Sequence, residues 1–190
     1  MKFVLSVTIF LSLLLAGCNE PRVVRIERPT VNLPVSLRQT NWWGNEDEGS
    51  CVWATTVSLL RWQGQYALAE RIRHYGNGAG PDTLDKVLDR EGVRYAETTK
   101  GDVSFLDRAC KTRRGCGIVC EYDAKTGYGT HCVALVYIDA YRACILDNND
   151  VEHYHWMTRE ELLADWQKSG GWAFCLIYSP AAPLPQRGTL

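Results

Sequence analysis

The sequence predicts one α+β domain, with helices in the first half of the chain and antiparallel strands in the second. Segments with helical character run from residue 51 to residue 113, and strand-like apolar runs follow from residue 117. A length of 190 residues with 46% hydrophobic and 23% charged residues is typical of one globular domain with its own core. We therefore expect a central helix packed on a small antiparallel sheet.

The charge balance argues against one broad class of partner. The chain has 21 basic and 22 acidic side chains and a net charge of −1. Binding to the phosphates of nucleic acid needs a surplus of basic residues. Nucleic acid is therefore not expected as the main partner.

Residues 1–17 have the pattern of a lipoprotein signal peptide. One lysine precedes a mostly apolar run from Phe3 to Ala16, which is too short for an ordinary membrane-spanning helix. Leu15-Ala16-Gly17-Cys18 resembles the bacterial lipobox. The resemblance implies cleavage before Cys18, a lipid on that residue, and attachment to a membrane after export to the periplasmic or cell-surface side. The alternative is a plain signal peptide or short anchor in which Cys18 has no role.

The ends of the mature chain are expected to be loose. Residues 18–37 contain three prolines and no helical period, which predicts an extended tether with at most one edge strand. Residues 38–179 form the domain, and the proline-containing stretch 180–190 is a flexible tail.

The helices are expected in the first half of the domain. From Cys51 to Gly64 the chain is apolar on all sides without glycine or proline, which predicts a buried central helix. Further helices are expected over residues 66–74, 83–91 and 102–113, the last with Asp102 as its N-cap. A Thr158–Glu161 capping box predicts a helix that continues to about residue 167.

The strands are expected in the second half. Residues 117–122, 131–138 and 142–146 have strand character, and residues 139–141 form the hairpin turn between the last two. Residues 172–178 form a final strand after a Gly-Gly break.

Cys51 lies at the start of the predicted central helix. There the helix dipole favours a thiolate, and the free backbone N–H groups of the first turn can receive an oxyanion. Both are needed by a nucleophile and its transition state. Taken alone, however, a cysteine at the start of a buried helix more often serves packing or a disulfide.

A base and an orienting group follow Cys51 in the chain. His131 opens a strand, where its ring can leave the rim of the sheet. Asp147, with Asn148 next to it, ends the return strand and comes back beside His131. A carboxylate or amide there can accept the imidazole N–H and fix its tautomer. Strand alternation does not decide which of the two shares a face with His131.

This order of residues resembles the papain-like cysteine peptidases. GSCVWA is similar to their nucleophile segment, and HCVALVYID with ACILDNND is similar to their His and Asp/Asn strands. The segment WMTREELLADWQKSGGWAFCLIY is similar to the closing helix and strand of bacterial peptidases that cleave double-glycine leaders. The resemblance covers roughly residues 39–179 and implies a papain-like fold, and the double-glycine branch favours Asp147 over Asn148.

The resemblance also implies a side-chain donor to the oxyanion. The family places a Gln six residues before the cysteine, but this chain has Asn45 there, and the nearest Gln is Gln39, twelve residues before. Both stay candidates, with the backbone N–H of Cys51 as a further donor. Val52 also replaces the Gly that commonly follows the cysteine.

Other cysteines and histidines offer rival interpretations. Seven cysteines remain beyond Cys18, and an odd number in an oxidising compartment predicts disulfide pairs with at least one free thiol, for which Cys51 is our choice. His153 and His155 form an H-x-H pair that could begin a zinc site. Because the chain has no C-x-x-C motif, we expect no metal.

The sequence thus predicts a thiol-dependent peptidase or amidase that acts on a peptide or protein substrate through a thioester acyl-enzyme. No metal or organic cofactor is expected. Two alternatives are a transglutaminase-like acyltransferase, which passes the acyl group to an amine, and a non-catalytic binding module with the same fold.

Overall fold

The secondary structure follows the predicted order of helices and strands. The structure is a computed structural model that describes residues 28–42, 49–76, 78–121, 130–180 and 182. Its helices are α1 (Cys51–Trp62), α2 (Tyr66–Ile72), α3 (Pro81–Arg90), α4 (Val103–Lys111) and α5 (Arg159–Lys168). Its strands are β1 (Tyr95–Thr98), β2 (Cys116–Glu121), β3 (Thr130–Ile138), β4 (Arg142–Leu146), β5 (Tyr154–Thr158) and β6 (Ala173–Leu176).

The six strands form one antiparallel sheet in the order β1-β6-β2-β3-β4-β5. Helix α1 covers one face of the sheet, where Trp53, Leu59 and Leu60 pack in a core with inward-facing residues of β3 and β4. Helices α4 and α5 cover the other face, where Leu106 and Trp166 pack in a second core. The sheet is therefore buried on both sides, and the prediction of an α+β fold with a central helix on an antiparallel sheet is confirmed.

Local signals set several element ends as predicted. Asp102 caps α4 by accepting a hydrogen bond from the Ser104 backbone N–H at 2.9 Å. Thr158 and Glu161 make a complete capping box at the start of α5. Both signals depend on residues three or fewer positions apart, so they can be recognised without tertiary information.

Strands β1 and β5 were not predicted. Both lie at the edges of the sheet, and β1 has only four residues. Edge strands pair on one side only and are partly exposed, so their residues lack a clear alternation of apolar and polar character.

The predicted tether is wrong over its second half. Val31 and Leu33 are fully buried, and the Val31 N–H donates to the Val136 carbonyl oxygen at 3.1 Å. Residues 28–37 therefore belong to the domain, and they include a short 3₁₀ turn at Val35–Leu37. The first half of the tether, the signal segment with Cys18, and residues 183–190 of the predicted tail lie outside the described residues.

The predicted disulfide pairs are also wrong for the described part of the chain. All seven cysteines there are free, and every one except Cys51 is buried. Six of them are packed as small apolar side chains in the two cores on either side of the sheet.

Among the described residues, no helix is both long and apolar enough to cross a membrane.

Candidate active site

The Cys51 thiol lies where the first turn of α1 meets the end of the sheet. Cys51 is the first residue of the helix and is half-buried, with Ser50 as the N-cap. Thr55, one turn further along α1, donates to the Cys132 carbonyl oxygen of β3 at 3.1 Å. This bond fixes the start of the helix against the start of β3, and so against His131.

His131 is the second residue of β3 and contacts Asp147, which directly follows β4. The distance between His131 Nε2 and Asp147 Oδ1 is 2.8 Å. His131 is 7% exposed and Asp147 is 1% exposed, so water competes weakly for this contact. The same carboxylate oxygen accepts the Asn149 backbone N–H at 2.7 Å, which holds it in place.

A one-residue bulge in β3 decides that Asp147, and not Asn148, shares a face with His131. Near the hairpin turn Ile138 is paired with Ala143, and this register, if continued, would set Asn148 on the His131 face. Between Leu135 and Tyr137 the register shifts by one, so that Leu135 pairs with Ile145. Beyond the shift, alternation sets Asp147 on the His131 face.

Asn148 lies on the opposite face, toward α1. Its Nδ2 group is 3.1 Å from the Cys51 carbonyl oxygen, 3.0 Å from Thr55 Oγ1 and 2.8 Å from the Cys132 carbonyl oxygen. The amide thus ties the strand end to the helix start. Its side-chain oxygen is buried and has no hydrogen-bond partner among the described residues. The alternative assignment of Asn148 as the orienting group therefore has no geometric support.

The Cys51 thiol has a pKa below its usual value. Burial alone would raise it, but a hydrogen bond with the His131 side chain and others from the backbone N–H groups of Cys132 and Val52 outweigh that effect. These contacts stabilise a thiolate. They combine a charged partner with the donors at the start of α1.

The pKa of the His131 ring is shifted in the opposite direction, upward. Burial lowers its pKa, but the hydrogen bonds to Asp147 and Cys51 prevail and raise it to about 9. Both shifts favour the ion pair of a thiolate and an imidazolium over the neutral thiol and imidazole, with a carboxylate behind the ring.

Of the two predicted side-chain donors to an oxyanion, the structure describes only Gln39, which lies away from Cys51. The Gln39 amide oxygen accepts from Arg61 Nη1 at 3.1 Å, and its NH₂ group donates to the Thr40 carbonyl oxygen at 3.0 Å. Arg61 lies ten residues after Cys51 on α1, a separation of about 15 Å along the helix axis. Gln39 is thus held at the far end of α1. Asn45 lies outside the described residues.

Two polar residues near the site were not predicted, Asn41 and Asn149. Asn149 Nδ2 lies 3.4 Å from His131 Nε2, and Asn149 Oδ1 lies 3.1 Å from Asn41 Nδ2. Asn41 Oδ1 in turn lies 2.7 Å from Ser50 Oγ. Asn149 directly follows Asp147 and Asn148, the two candidate orienting residues, and that position in the chain was the available signal.

The H-x-H pair lies on the other side of that turn. His153 Nδ1 is 2.8 Å and His155 Nε2 is 3.1 Å from the two carboxylate oxygens of Asp150. The contact with Asp150 raises the pKa of His153. Over the residues that the structure describes, no group of three or more His, Cys, Asp or Glu side chains is arranged to hold a metal ion.

Comparisons with known proteins support the fold. No protein-family model matches the sequence. No curated protein matches it either. The chain is similar in structure to a protein described as a "putative C39-like peptidase" from Bacillus anthracis, with a TM-score of 0.58 and 14% identity. The match covers 81% of this chain and 99% of that chain. This chain therefore shares the α+β fold of that protein.

Proposed function

We propose that the protein is a thiol-dependent peptidase or amidase in which Cys51 is the nucleophile, His131 the general base and acid, and Asp147 the group that orients His131. The observation that carries the proposal is the chain of contacts from the Cys51 thiol through the His131 ring to the buried Asp147 carboxylate. On a cysteine peptidase fold, this order of groups is suited to acyl transfer.

The proposed reaction has two half-reactions. The Cys51 thiolate attacks the carbonyl carbon of a peptide or amide, and the His131 imidazolium gives its proton to the leaving amine. A thioester remains on Cys51. A water molecule, deprotonated by His131, then attacks the thioester and releases the acid. The negative oxygen of each tetrahedral intermediate is stabilised by backbone N–H groups at the start of α1, starting with that of Cys51.

The role of Asp147 follows from its burial. The carboxylate holds the Nε2–H of the ring, which leaves the other ring nitrogen for the thiol. It also stabilises the positive charge on the ring after proton transfer, in a site where water screens that charge weakly.

The test is cleavage of a peptide and cell-wall fragment library by the full chain, with products identified by mass spectrometry. We expect product from the wild type and none from Cys51→Ala. A His131→Ala variant should lose both product and rapid labelling of Cys51 by iodoacetamide at neutral pH. Equal, slow labelling of Cys51 in wild type and His131→Ala would refute the activated pair and favour a non-catalytic binding module.

A second arm separates hydrolysis from transfer to an amine. The same reactions are run with and without a primary amine such as methylamine. A hydrolase gives the free acid in both cases, whereas a transglutaminase-like enzyme gives the amide adduct as its main product. The predominance of adduct at low amine concentration would overturn the hydrolase assignment while retaining the thioester.

We also propose that Cys18 carries a lipid and attaches the exported domain to a membrane. The lipobox-like sequence Leu15-Ala16-Gly17-Cys18 supports this. Metabolic labelling with a palmitate analogue should mark the wild type but not Cys18→Ser. Equal labelling of both proteins would refute lipidation at this residue.

A further inference from the structure

Two loops that carry the site residues are joined to each other at the surface. The loop before α1 contains Asn41 and Ser50, and the turn after β4 contains Asp147 and Asn149. The Asn41 backbone N–H donates to the Asn148 carbonyl oxygen at 2.8 Å. Beside this bond, the side chains of Ser50, Asn41 and Asn149 form a continuous line of contacts that ends at His131 Nε2.

The chemistry of the two ends of this line fixes the direction of its hydrogen bonds. At one end, His131 Nε2 carries the hydrogen that it donates to Asp147. An Asn149 NH₂ group facing that nitrogen at 3.4 Å would bring two donors together. A carbonyl oxygen of Asn149 in the same place would instead accept from the ring.

At the other end, Ser50 Oγ has one hydrogen and several partners. It accepts from the Trp42 backbone N–H at 2.8 Å and is close to both the Trp42 carbonyl oxygen and the Asn41 amide. The hydroxyl can donate to only one of the last two. If it donates to Trp42, the Asn41 amide must present its NH₂ group to Ser50 Oγ.

Both constraints are met by one arrangement. The two ends of a carboxamide have the same shape, so its orientation is set by its hydrogen bonds. When Asn41 gives its NH₂ group to Ser50, its oxygen faces Asn149. Asn149 then gives its NH₂ group to Asn41, and its oxygen faces the ring of His131. Each contact along the line then joins a donor to an acceptor.

We propose that Asn41 and Asn149 are positioning residues, which form a directional amide relay from the N-cap of the nucleophile helix to the Nε2–H of His131. Through the relay, His131 has a second acceptor beside Asp147, and the ring is held in register with the loop that carries Cys51. This inference rests on the proposed function, because the relay acts by holding the protonated ring.

Several titratable groups face or flank His131, and the test must separate them. Cys51 faces it from α1 and Asp147 from the turn after β4, while Cys120 is its partner across β2. Asn149 is uncharged and exposed, so its replacement alters neither the charge of the site nor the core. A shift of titration in Asn149→Ala therefore reports on the hydrogen bond.

The experiment measures the rate of Cys51 labelling by iodoacetamide as a function of pH and the titration of the His131 ring by NMR, for the full chain. The expected result for Asn149→Ala is a rise of the midpoint of thiolate formation and a fall of the midpoint of ring deprotonation. Each shift should amount to roughly a 3- to 10-fold change in the equilibrium, as for the loss of one hydrogen bond. Asn41→Ala should shift both in the same directions, by less.

Two further variants sharpen the result. Asn149→Asp keeps an oxygen acceptor beside the ring and should restore the wild-type midpoint of ring deprotonation or raise it. Asn32→Ala is the matched control, because Asn32 is a half-buried amide that accepts from Tyr154 on β5 at 3.2 Å. It should leave both midpoints unchanged.

The possible results distinguish a failure of the relay from a failure of the proposed function. An NH₂ group facing the ring would favour the neutral imidazole, so its removal would shift the midpoints in the opposite directions. If Asn149→Ala shifts the two midpoints in those opposite directions, or leaves them unchanged, while Cys51 of the wild type is activated, the relay is wrong and the proposed function stands. A wild-type Cys51 that titrates as an ordinary thiol would overturn the proposed function, and the relay with it.

Discussion

The pairing of Asp147 with His131 leads to a quantitative prediction. The raised pKa of His131, from its usual 6.5 to about 9, corresponds to about 3 kcal/mol in favour of the protonated ring. Two groups supply this energy against the cost of burial, and Asp147 is the larger contributor. Replacing Asp147 by Ala or Asn should therefore lower the pKa of His131.

The change should be seen in two measurements. The midpoint of His131 deprotonation should fall by roughly 1–2 pH units. The ring then loses its charge near neutral pH, and thiolate formation at Cys51 should move to higher pH. Since 1.4 kcal/mol is about a factor of ten, kcat/KM at pH 7 should fall roughly 10- to 100-fold.

The assays are the NMR titration of His131, the pH profile of iodoacetamide labelling at Cys51, and kcat/KM for a peptide that the wild type cleaves. Wild type should give a bell-shaped profile with its alkaline limb near the His131 pKa of about 9. The matched control is Asp139→Asn, because Asp139 caps the hairpin turn at the other end of the same two strands and accepts from Tyr137 Oη at 2.6 Å. A folded Asp147→Ala protein that keeps the wild-type alkaline limb would refute the reasoning.

Three other outcomes follow from the packing around the site. Asn148→Ala should lower the free energy of unfolding by roughly 1–3 kcal/mol in a denaturant titration, because it removes the buried amide that donates to the Cys51 and Cys132 carbonyl oxygens. Wild-type stability would contradict its role in tying α1 to the sheet. Gly117→Ala should cost roughly 1–3 kcal/mol, because the added Cβ would lie 2.2 Å from the Phe174 ring, and Phe174→Leu should recover part of that loss. Mass mapping after alkylation at neutral pH should find Cys51 modified first. The other six described cysteines should react only after unfolding, because burial raises their pKa values. Rapid labelling of any of these six would show that the cores open.

The sequence determined the order of most elements and proposed Cys51 and His131 for the site, with Asp147 or Asn148 as the third residue. The all-round apolar helix after Cys51, the capping box at Thr158 and the hairpin turn at residues 139–141 are local patterns, and each is found where it was expected. Local patterns depend on neighbours in the chain, so they can be recognised without knowledge of the fold.

The choice between Asp147 and Asn148 was decided by tertiary structure. A hairpin with regular pairing would have placed the amide beside His131, and only the bulge between Leu135 and Tyr137 brings the carboxylate there. The carbonyl oxygen of Val136, within the bulge, accepts hydrogen bonds from Thr30 and Val31, which are more than 100 residues away in the sequence. Strand alternation has a period of two, so a single extra residue reverses every face assignment beyond it. Because this bulge is stabilised by contacts distant in the sequence, it leaves no local signal in the strand, and the identity of the group behind His131 is a property of the folded chain.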